Sequence, residues 1–413
     1  METIKLNRII KESNIIRYEF SVTQGIKHFF SEKPFFIEYS ESIENVPDAV
    51  AAIPFVCNVL PIVWIVNVSL IINELDENFY KCLPEVKNGY EIMYPETPFK
   101  GEIEVLKTVS NNGKITEKCA AFFSGGLDSV QTLISHLDER PDLISIWGSD
   151  VRLNNASGWE QVYSAVEKIA KEYQLTSIVI RSSFREFDRE DILEEYYSKQ
   201  LQDGWWHGVK HGIALLGHVA PYAYLHNLST VYIASSNCVA DGKVRCASNP
   251  LIDNHVRFGG CKVVHDGFEY NRQDKLHNVV KFCRVTGHII PLHVCWQSQS
   301  GGNCSHCEKC YRTIAGLLAE GEDPTLYGFH DIDVALNNMR IYVTEWLIDK
   351  NVLKRQWVHI HNCAVKNKRL LQKAPYWKKF KWILKADFSH PEKLRMPFCF
   401  RLQRKIKTIL QML

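Results

Sequence analysis

The chain runs to 413 residues with 46% apolar, 11% aromatic and 23% charged side chains. That balance excludes intrinsic disorder, collagen-like repetition and a short disulfide scaffold, and leaves room for two or three domains. Forty-nine basic against 47 acidic residues give a formal charge of only +2, but the average conceals a split. From Lys354 onward 16 Lys and Arg face two acids, Asp387 and Glu392, a net +14 that leaves −12 on the preceding residues.

The opening METIKLNRIIKESN scatters its charges and lacks an apolar run before a small-residue cleavage site, so the expected compartment is the cytoplasm. In reducing surroundings the 13 cysteines are expected as metal ligands or core thiols rather than disulfides. NIIRYEF, PFFIEYS, IVWIVNVSLII and GEIEVLKTV are β-favouring runs, and they predict a strand-rich N-terminal domain over 1–118. Residues 49–72 carry no charge and are long enough to cross a bilayer. Pro54 and Pro61 interrupt them, however, so the expectation is a short apolar segment, a turn and a buried strand. Asn112-Gly113 between VLKTVS and KITEKCAAFF reads as a hairpin turn.

From Cys119 the rhythm changes. CAAFF, LISIW, TSIVI and TVYIAS are strand-like. They alternate with helices marked by Leu127, Val130, Leu133, Ile134 and Leu137, then by Trp159, Val162, Val166, Ile169, Ala170 and Tyr173, then by a long apolar stretch from Trp205 to Leu225. Such alternation predicts an α/β fold with a doubly wound parallel sheet over 119–320. DKLHNVVKFC and DIDVALNNMRIYVTEWLI read as helices, the latter opening a helical C-terminal region over 321–413 that ends in the basic tail.

Ser124, Gly125, Gly126, Leu127, Asp128 and Ser129 follow a strand and open a helix. Two glycines let the backbone approach an anion, helix-start amides point at it, and the Ser124 and Ser129 hydroxyls add donors. No lysine follows to reach a γ-phosphate, so the turn suits a pyrophosphate held while attack occurs at the α-phosphorus. Asp128 either positions magnesium or a loop amide, or complements the helix dipole. SGGLDS in this setting resembles the PP-loop of the N-type ATP pyrophosphatases, the adenine nucleotide α-hydrolases. The resemblance implies a HUP-like domain that binds ATP and adenylates a carboxylate, amide or carbonyl oxygen with release of pyrophosphate.

Cys295, Cys304, Cys307 and Cys310 in CWQSQSGGNCSHCEKC have spacings that let four thiolates close on one tetrahedral ion. Zinc is the expected occupant, with an iron–sulfur cluster or plain core cysteines as alternatives. His306 lies among them, but the cysteines already complete a tetrahedron. A PP-loop followed by this cysteine spacing resembles the 7-cyano-7-deazaguanine synthase family over roughly Cys119 to Leu318. It implies ATP on the loop and zinc on the cysteines. GWWHGVKHGIALLGH and CVADGKVRCASNPLIDNH depart from that family's pattern, so the resemblance supports ATP-dependent activation more than a deazaguanine substrate.

His207, Lys210 and His211 fall at helical spacing and are expected on one face as substrate-binding or catalytic acid–base groups, the alternative being polar residues at a helix end. Asn237, Asp241, Asp253 and Asn254 flank a strand's C-terminal end, where ligands sit in open α/β sheets. Arg272 and Lys275, at a helix start, neutralise phosphate or are solvated surface. In the tail, Leu402, Ile406, Ile409 and Leu413 share a helical face, which suits a membrane surface, a nucleic acid, or docking on the acidic body of this chain or a partner protein. A second copy of the chain is a further candidate partner.

The leading expectation is a ligase-type enzyme that uses ATP and magnesium to adenylate a small molecule and passes the activated group to ammonia or another amine. One alternative is an RNA-modifying, thiolase-like PP-loop enzyme, for which Cys238, Cys246 and Cys261 are candidate persulfide carriers. Another is a nucleotide-binding sensor or assembly component without turnover.

Overall fold

The computed structural model describes residues 2–391 apart from 115, 299 and 348–350, together with 394. The strands are Thr3–Glu12 (β1), Ile15–Val22 (β2), Phe35–Tyr39 (β3), Ser69–Asp76 (β4), Glu102–Val109 (β5), Cys119–Phe122 (β6), Asp142–Trp147 (β7), Ser177–Ser182 (β8), Thr230–Ala234 (β9), Arg257–Phe258 (β10) and Cys261–Asp266 (β11). All eleven join one sheet in the order β10-β11-β9-β6-β7-β8-β3-β2-β1-β4-β5.

The segment β11-β9-β6-β7-β8 is parallel throughout. Three antiparallel pairings carry the sheet on through β3, β2 and β1, and parallel β4 and β5 complete it. The fold is therefore α/β with a large, mostly parallel sheet. Burial follows position. Central β6 and β9 are apolar on both faces because both are covered, whereas the edge strand β5 exposes its Glu and Lys side chains.

Taken in chain order, the five parallel strands reverse direction of addition between β6 and β9, the arrangement that opens a crevice beyond the strands' C-terminal ends. The chain forms two compact units, one of residues 1–124 and 128–268, the other of residues 125–127 and 269–413. The strands before residue 118 share the sheet with those after it, so the boundary expected there runs through one sheet.

Two local expectations are corrected. Asn112-Gly113 is not a hairpin turn, because β5 pairs in parallel with β4 while β6 is already flanked by β7 and β9. The apolar stretch after residue 49 contains a helix, Ile53–Val66, rather than an early strand. Pro54 lies in its first turn, where no intrahelical N–H is needed, and Pro61 lies inside it. Asn58 Nδ2 donates to the Pro54 carbonyl at 2.8 Å.

An interior proline costs about 3 kcal/mol. Thirteen of the helix's 14 residues are buried, and each large apolar side chain contributes about 1.5–3 kcal/mol on burial, so packing outweighs the break. The helix stops at Asn67, which adopts a left-handed conformation (φ 65°). Among the described residues no helix is long and apolar enough to cross a membrane.

The second unit is built on the helices Arg272–Thr286, Glu308–Glu320, Ile332–Ile341 and Val358–Lys366. The first begins in a capping box. Asn271 Oδ1 accepts from the Gln273 and Asp274 amides at 2.9 and 3.0 Å, and Asp274 Oδ2 accepts from the Asn271 amide at 3.2 Å. The near part of the basic tail folds back within this unit. Trp357 is fully buried with Nε1 donating to Glu308 at 3.2 Å, Asn367 Nδ2 donates to the Ala319 carbonyl at 2.9 Å, and Lys379 pairs with Asp333 at 2.5 Å. The face of Leu402, Ile406, Ile409 and Leu413 lies outside the described residues.

Candidate functional site

The SGGLDS turn joins β6 to the helix Leu127–Ser135, beside the point at which the strand order reverses. Gly125 takes φ +72°, a conformation that a side chain disfavours, which turns the chain sharply from strand to helix. Ser124 is exposed, its amide donates to Ser129 Oγ at 3.3 Å, and the two hydroxyls are 3.4 Å apart. Gly126 and Asp128 are half-buried, and Leu127 is buried. On the other side of the helix Thr132 Oγ1 donates to Asp266 Oδ2 at 2.7 Å, tying it to the end of β11. Within the second unit the Gly125 carbonyl accepts the His293 amide at 2.7 Å, and Leu127, Arg272 and Arg312 line one small cavity.

Two residues beyond His293 lies Cys295. The sulfurs of Cys295, Cys304, Cys307 and Cys310 all lie within 4.8 Å of one another, with 3.9 Å between Cys295 and Cys307 and 3.9 Å between Cys304 and Cys310. Zn–S bonds of about 2.3 Å in a tetrahedron require S–S edges of about 3.8 Å, so the donor set fits a closed four-thiolate ion. The Ser298 amide donates to Cys295 Sγ and the Cys307 amide to Cys304 Sγ, each at 3.3 Å, the outer-sphere hydrogen bonds that thiolate ligands draw. His306 is exposed, with Nδ1 on the Cys304 carbonyl, and is not among the four donors. Asn303 braces the approach to the cluster. Its Nδ2 donates to the Leu292 and Gly328 carbonyls at 2.7 and 3.0 Å, and its Oδ1 accepts the Val294 amide at 3.0 Å.

The trio His207, Lys210 and His211 does not share a face. Trp206–Lys210 is a π-turn ahead of the helix His211–His226, and its wider winding sends Lys210 into the core. There the ammonium meets Asp188 at 2.6 Å, Glu190 at 3.2 Å and the Phe184 carbonyl at 2.9 Å, with Lys210 and Asp188 side chains both at 0% exposure. Arg185 closes the cluster by a two-pronged contact to Glu190 at 3.0 and 2.6 Å. Burial outweighs Lys210 at Asp188 and pushes its carboxyl up to about 6. At Glu190 burial acts in the same sense, but Lys210 and Arg185 together hold it below the usual range.

The two histidines instead meet a residue that spacing did not single out as their partner. Cys246 is buried, and the rings of His207 and His211 stack at 6.0 Å and 15°. His207 Nδ1 sits 2.8 Å from Asp203 Oδ2. The loop carrying Cys246 is fixed by the Ala247 amide donating to the His207 carbonyl at 2.8 Å. It also passes so close to Gly212 that an added Cβ would lie 2.4 Å from the Ala247 carbonyl oxygen. Burial pushes the thiol up, but the two imidazoles bring it down to about 6. Asp203 first, then Cys246, raise His207 to about 10.

The remaining predicted residues are mostly engaged locally. Asn237 accepts through its carbonyl from Ser235, and Asp241 caps the turn that starts at Cys238. Asp253, fully buried, accepts from Ser248 at 2.7 Å and lies 2.8 Å from His265 Nδ1, while exposed Asn254 receives the His265 amide at 2.8 Å. Arg272 is half-buried near Thr313, and Lys275 is buried rather than solvated. A hollow of about 520 Å³ between Lys118, Glu139, Arg140 and His226 opens at the start of β6 and β7, away from the SGGLDS turn. No known protein family, curated protein or solved structure matches the chain.

Proposed function

We propose that the chain is an ATP-dependent adenylating enzyme of the PP-loop type, built on a HUP-like domain, with zinc held by Cys295, Cys304, Cys307 and Cys310. The observation that carries this reading is the position of the SGGLDS turn. It follows the central strand β6 beside the reversal of strand order, where open α/β sheets bind nucleotides, and it opens a nine-residue helix.

In this reading the amides from Gly125 to Asp128 and the Ser124 and Ser129 hydroxyls, consecutive along the turn, receive the β- and γ-phosphates. Magnesium supplies charge neutralisation on the phosphates when bound. A carboxylate oxygen of the substrate attacks the α-phosphorus, the bond to the bridging oxygen breaks, and pyrophosphate leaves. Ammonia or another amine then attacks the activated carbon, AMP departs, and the nitrogen loses a proton. Four thiolates leave no open coordination position, so the zinc is structural.

The test is release of pyrophosphate and AMP from ATP across a panel of small carboxylates with ammonia. Ser124→Ala with Ser129→Ala is expected to lower turnover on the order of 100-fold, the scale for removing donors that stabilise transition-state charge. Absence of both products with every carboxylate, together with unchanged ATP binding in the double variant, would sink the proposal. ATP that co-purifies intact would point to a sensor instead.

A further inference from the structure

We propose that the folded part of the basic tail, residues 366–385, is a docking surface for the phosphate backbone of a single-stranded nucleic acid. The inference stands on the second unit alone and is independent of the adenylating reading.

This segment carries eight Lys and Arg side chains and no carboxylate, and all eight bases are exposed. Lys366, Lys368 and Arg369 stand where the helix Val358–Lys366 gives way to the short turn Lys368–Leu371. Lys378, Lys381 and Lys385 ride on the turns Trp377–Phe380 and Lys381–Lys385, with Lys373 between the two groups. Lys379 is held by Asp333 at 2.5 Å, and among the described residues no other carboxylate lies within ion-pair distance of the eight. Seven positive charges therefore face solvent without a counter-charge from this chain, so docking on its own acidic body does not account for them. Packing brings the two groups together. The helix Val358–Lys366 lies against Lys381–Lys385, with His361 Nδ1 donating to the Ile383 carbonyl at 2.7 Å, and Trp377–Phe380 lies against the helix Ile332–Ile341.

The apolar side chains decide which polyanion fits. A helix that adheres to a membrane keeps a long apolar face for the acyl region. Here the backbone is broken into pieces of four, five and nine residues, and Leu371, Phe380 and Ile383 are buried. Val365 and Leu370 are the large aliphatic side chains left exposed on these pieces. Tyr376, Trp377 and Trp382 are half-buried and alternate with the lysines. Their place in the fold is fixed, as for Trp382, whose ring lies 6.3 Å from that of Phe388 and 6.0 Å from the Arg340 guanidinium. Lysines that follow phosphates, interleaved with partly open rings on which bases stack, are the arrangement that holds a single strand. Lysine at seven of the eight positions gives point charges rather than the planar fork that reads base edges, so binding is expected to be indifferent to sequence.

The test is fluorescence anisotropy of a labelled single-stranded RNA of about 20 nucleotides, titrated with the full chain at several salt concentrations. If about five of the seven free bases meet phosphates, log affinity should fall against log salt with a slope of about −3.5, a loss of about 100-fold from about 50 to about 200 mM. Lys366→Gln with Lys368→Gln and Arg369→Gln removes three contacts. It is expected to shrink the slope by about 2 and to weaken binding on the order of 100-fold at about 0.1 M salt, with helix content unchanged by circular dichroism. Lys378→Gln with Lys381→Gln and Lys385→Gln, a second variant at exposed positions on other turns, is expected to do the same. Lys5→Gln with Lys168→Gln and Lys171→Gln, at exposed lysines of the first unit, changes the net charge equally and should shift affinity by less than about threefold.

Three results would each overturn the proposal: RNA left unbound at about 50 mM salt, a loss in the first-unit variant as large as in the tail variants, or RNA displaced by vesicles of about one-third phosphatidylserine at equal phosphate concentration. The last would assign the surface to an anionic membrane. The pyrophosphate assay is unaffected by any of them, because no substituted residue belongs to the SGGLDS turn or the cysteine cluster.

Discussion

Replacing Lys210 by methionine keeps roughly the length of the side chain and removes the ammonium held against Asp188, so it isolates the energetics of a buried ion cluster. Lys210 and Asp188 are fully excluded from solvent, and Glu190 is 15% exposed and still gripped by Arg185. Deleting one partner of such a buried pair costs about 3–5 kcal/mol. At about 2–4 °C per kcal/mol for a unit of this size, the thermal midpoint should fall by about 6–20 °C at pH 8.

The loss carries a pH signature whose sign can be worked out. Asp188 in the folded chain is held up to about 6, above its unfolded value, so the folded state binds its proton more tightly. This group's contribution to stability is complete below about 4 and declines as pH rises through about 6. Without Lys210 the folded value climbs further and the decline continues to higher pH. The gap between wild type and Lys210→Met should therefore be small at pH 5 and widen toward pH 8.

Asp188→Asn in the same chain removes the stranded charge and leaves the Arg185–Glu190 pair neutral within itself, so roughly half of the lost stability should return. Differential scanning calorimetry from pH 5 to 8 reads all three. A midpoint change under about 3 °C, or a gap that does not vary with pH, would refute the reasoning.

Gly212→Ala should displace the Ala247 carbonyl, for which no flexible side chain can yield, at a cost of about 1–3 kcal/mol read by urea melts. Elemental analysis should find one zinc per chain, lost in Cys307→Ser. Removing the ion should also speed deuterium exchange at the His293 amide by about tenfold or more, because its neighbours are braced through the cluster. The thiolate and imidazolium at Cys246 and His207 should make the first unit most resistant between about pH 6 and 10. The depressed thiol loses its contribution as pH falls through about 6, and the raised imidazole loses its own as pH rises through about 10; Cys246→Ser should flatten the acid limb of the pH–stability curve and leave most of the alkaline limb, which Asp203 maintains.

Most of the parallel segment was legible because its strands and helices bury regular faces. LISIW, TSIVI and TVYIAS became β7, β8 and β9, and Trp159, Val162, Val166, Ile169 and Ala170 line the buried side of one helix. The failures arose where tertiary surroundings overrode local preference. Two prolines and a run of β-branched residues argued against a helix at Ile53–Val66, and only the burial of almost all its residues reverses that balance. Asn112-Gly113 has the chemistry of a tight turn, yet pairing is decided by which strand edges are free, and β6 has none. The opening segment of β1, with charges among its apolar residues, gives little sign that it pairs with β4 inside the same sheet as β6.

The same division runs through the sites. The SGGLDS turn and the cysteine cluster draw their groups from six and 16 consecutive residues, so spacing alone carries their geometry. Cys246 meets His207 and His211 across more than 30 residues of intervening chain. Nothing local distinguishes it from Cys238 and Cys261, which stand in the same stretch. Surroundings do. Burial pushes Cys57, Cys82, Cys119, Cys238, Cys261 and Cys283 up, and Cys363 likewise. Among the described thiols outside the metal cluster, Cys246 alone is brought down: burial pushes it up as well, but His207 and His211 together outweigh that effect. A π-turn makes this possible. By diverting Lys210 to Asp188 and Glu190 it removes a cation from the histidine face and leaves that face to two groups able to exchange a proton with sulfur.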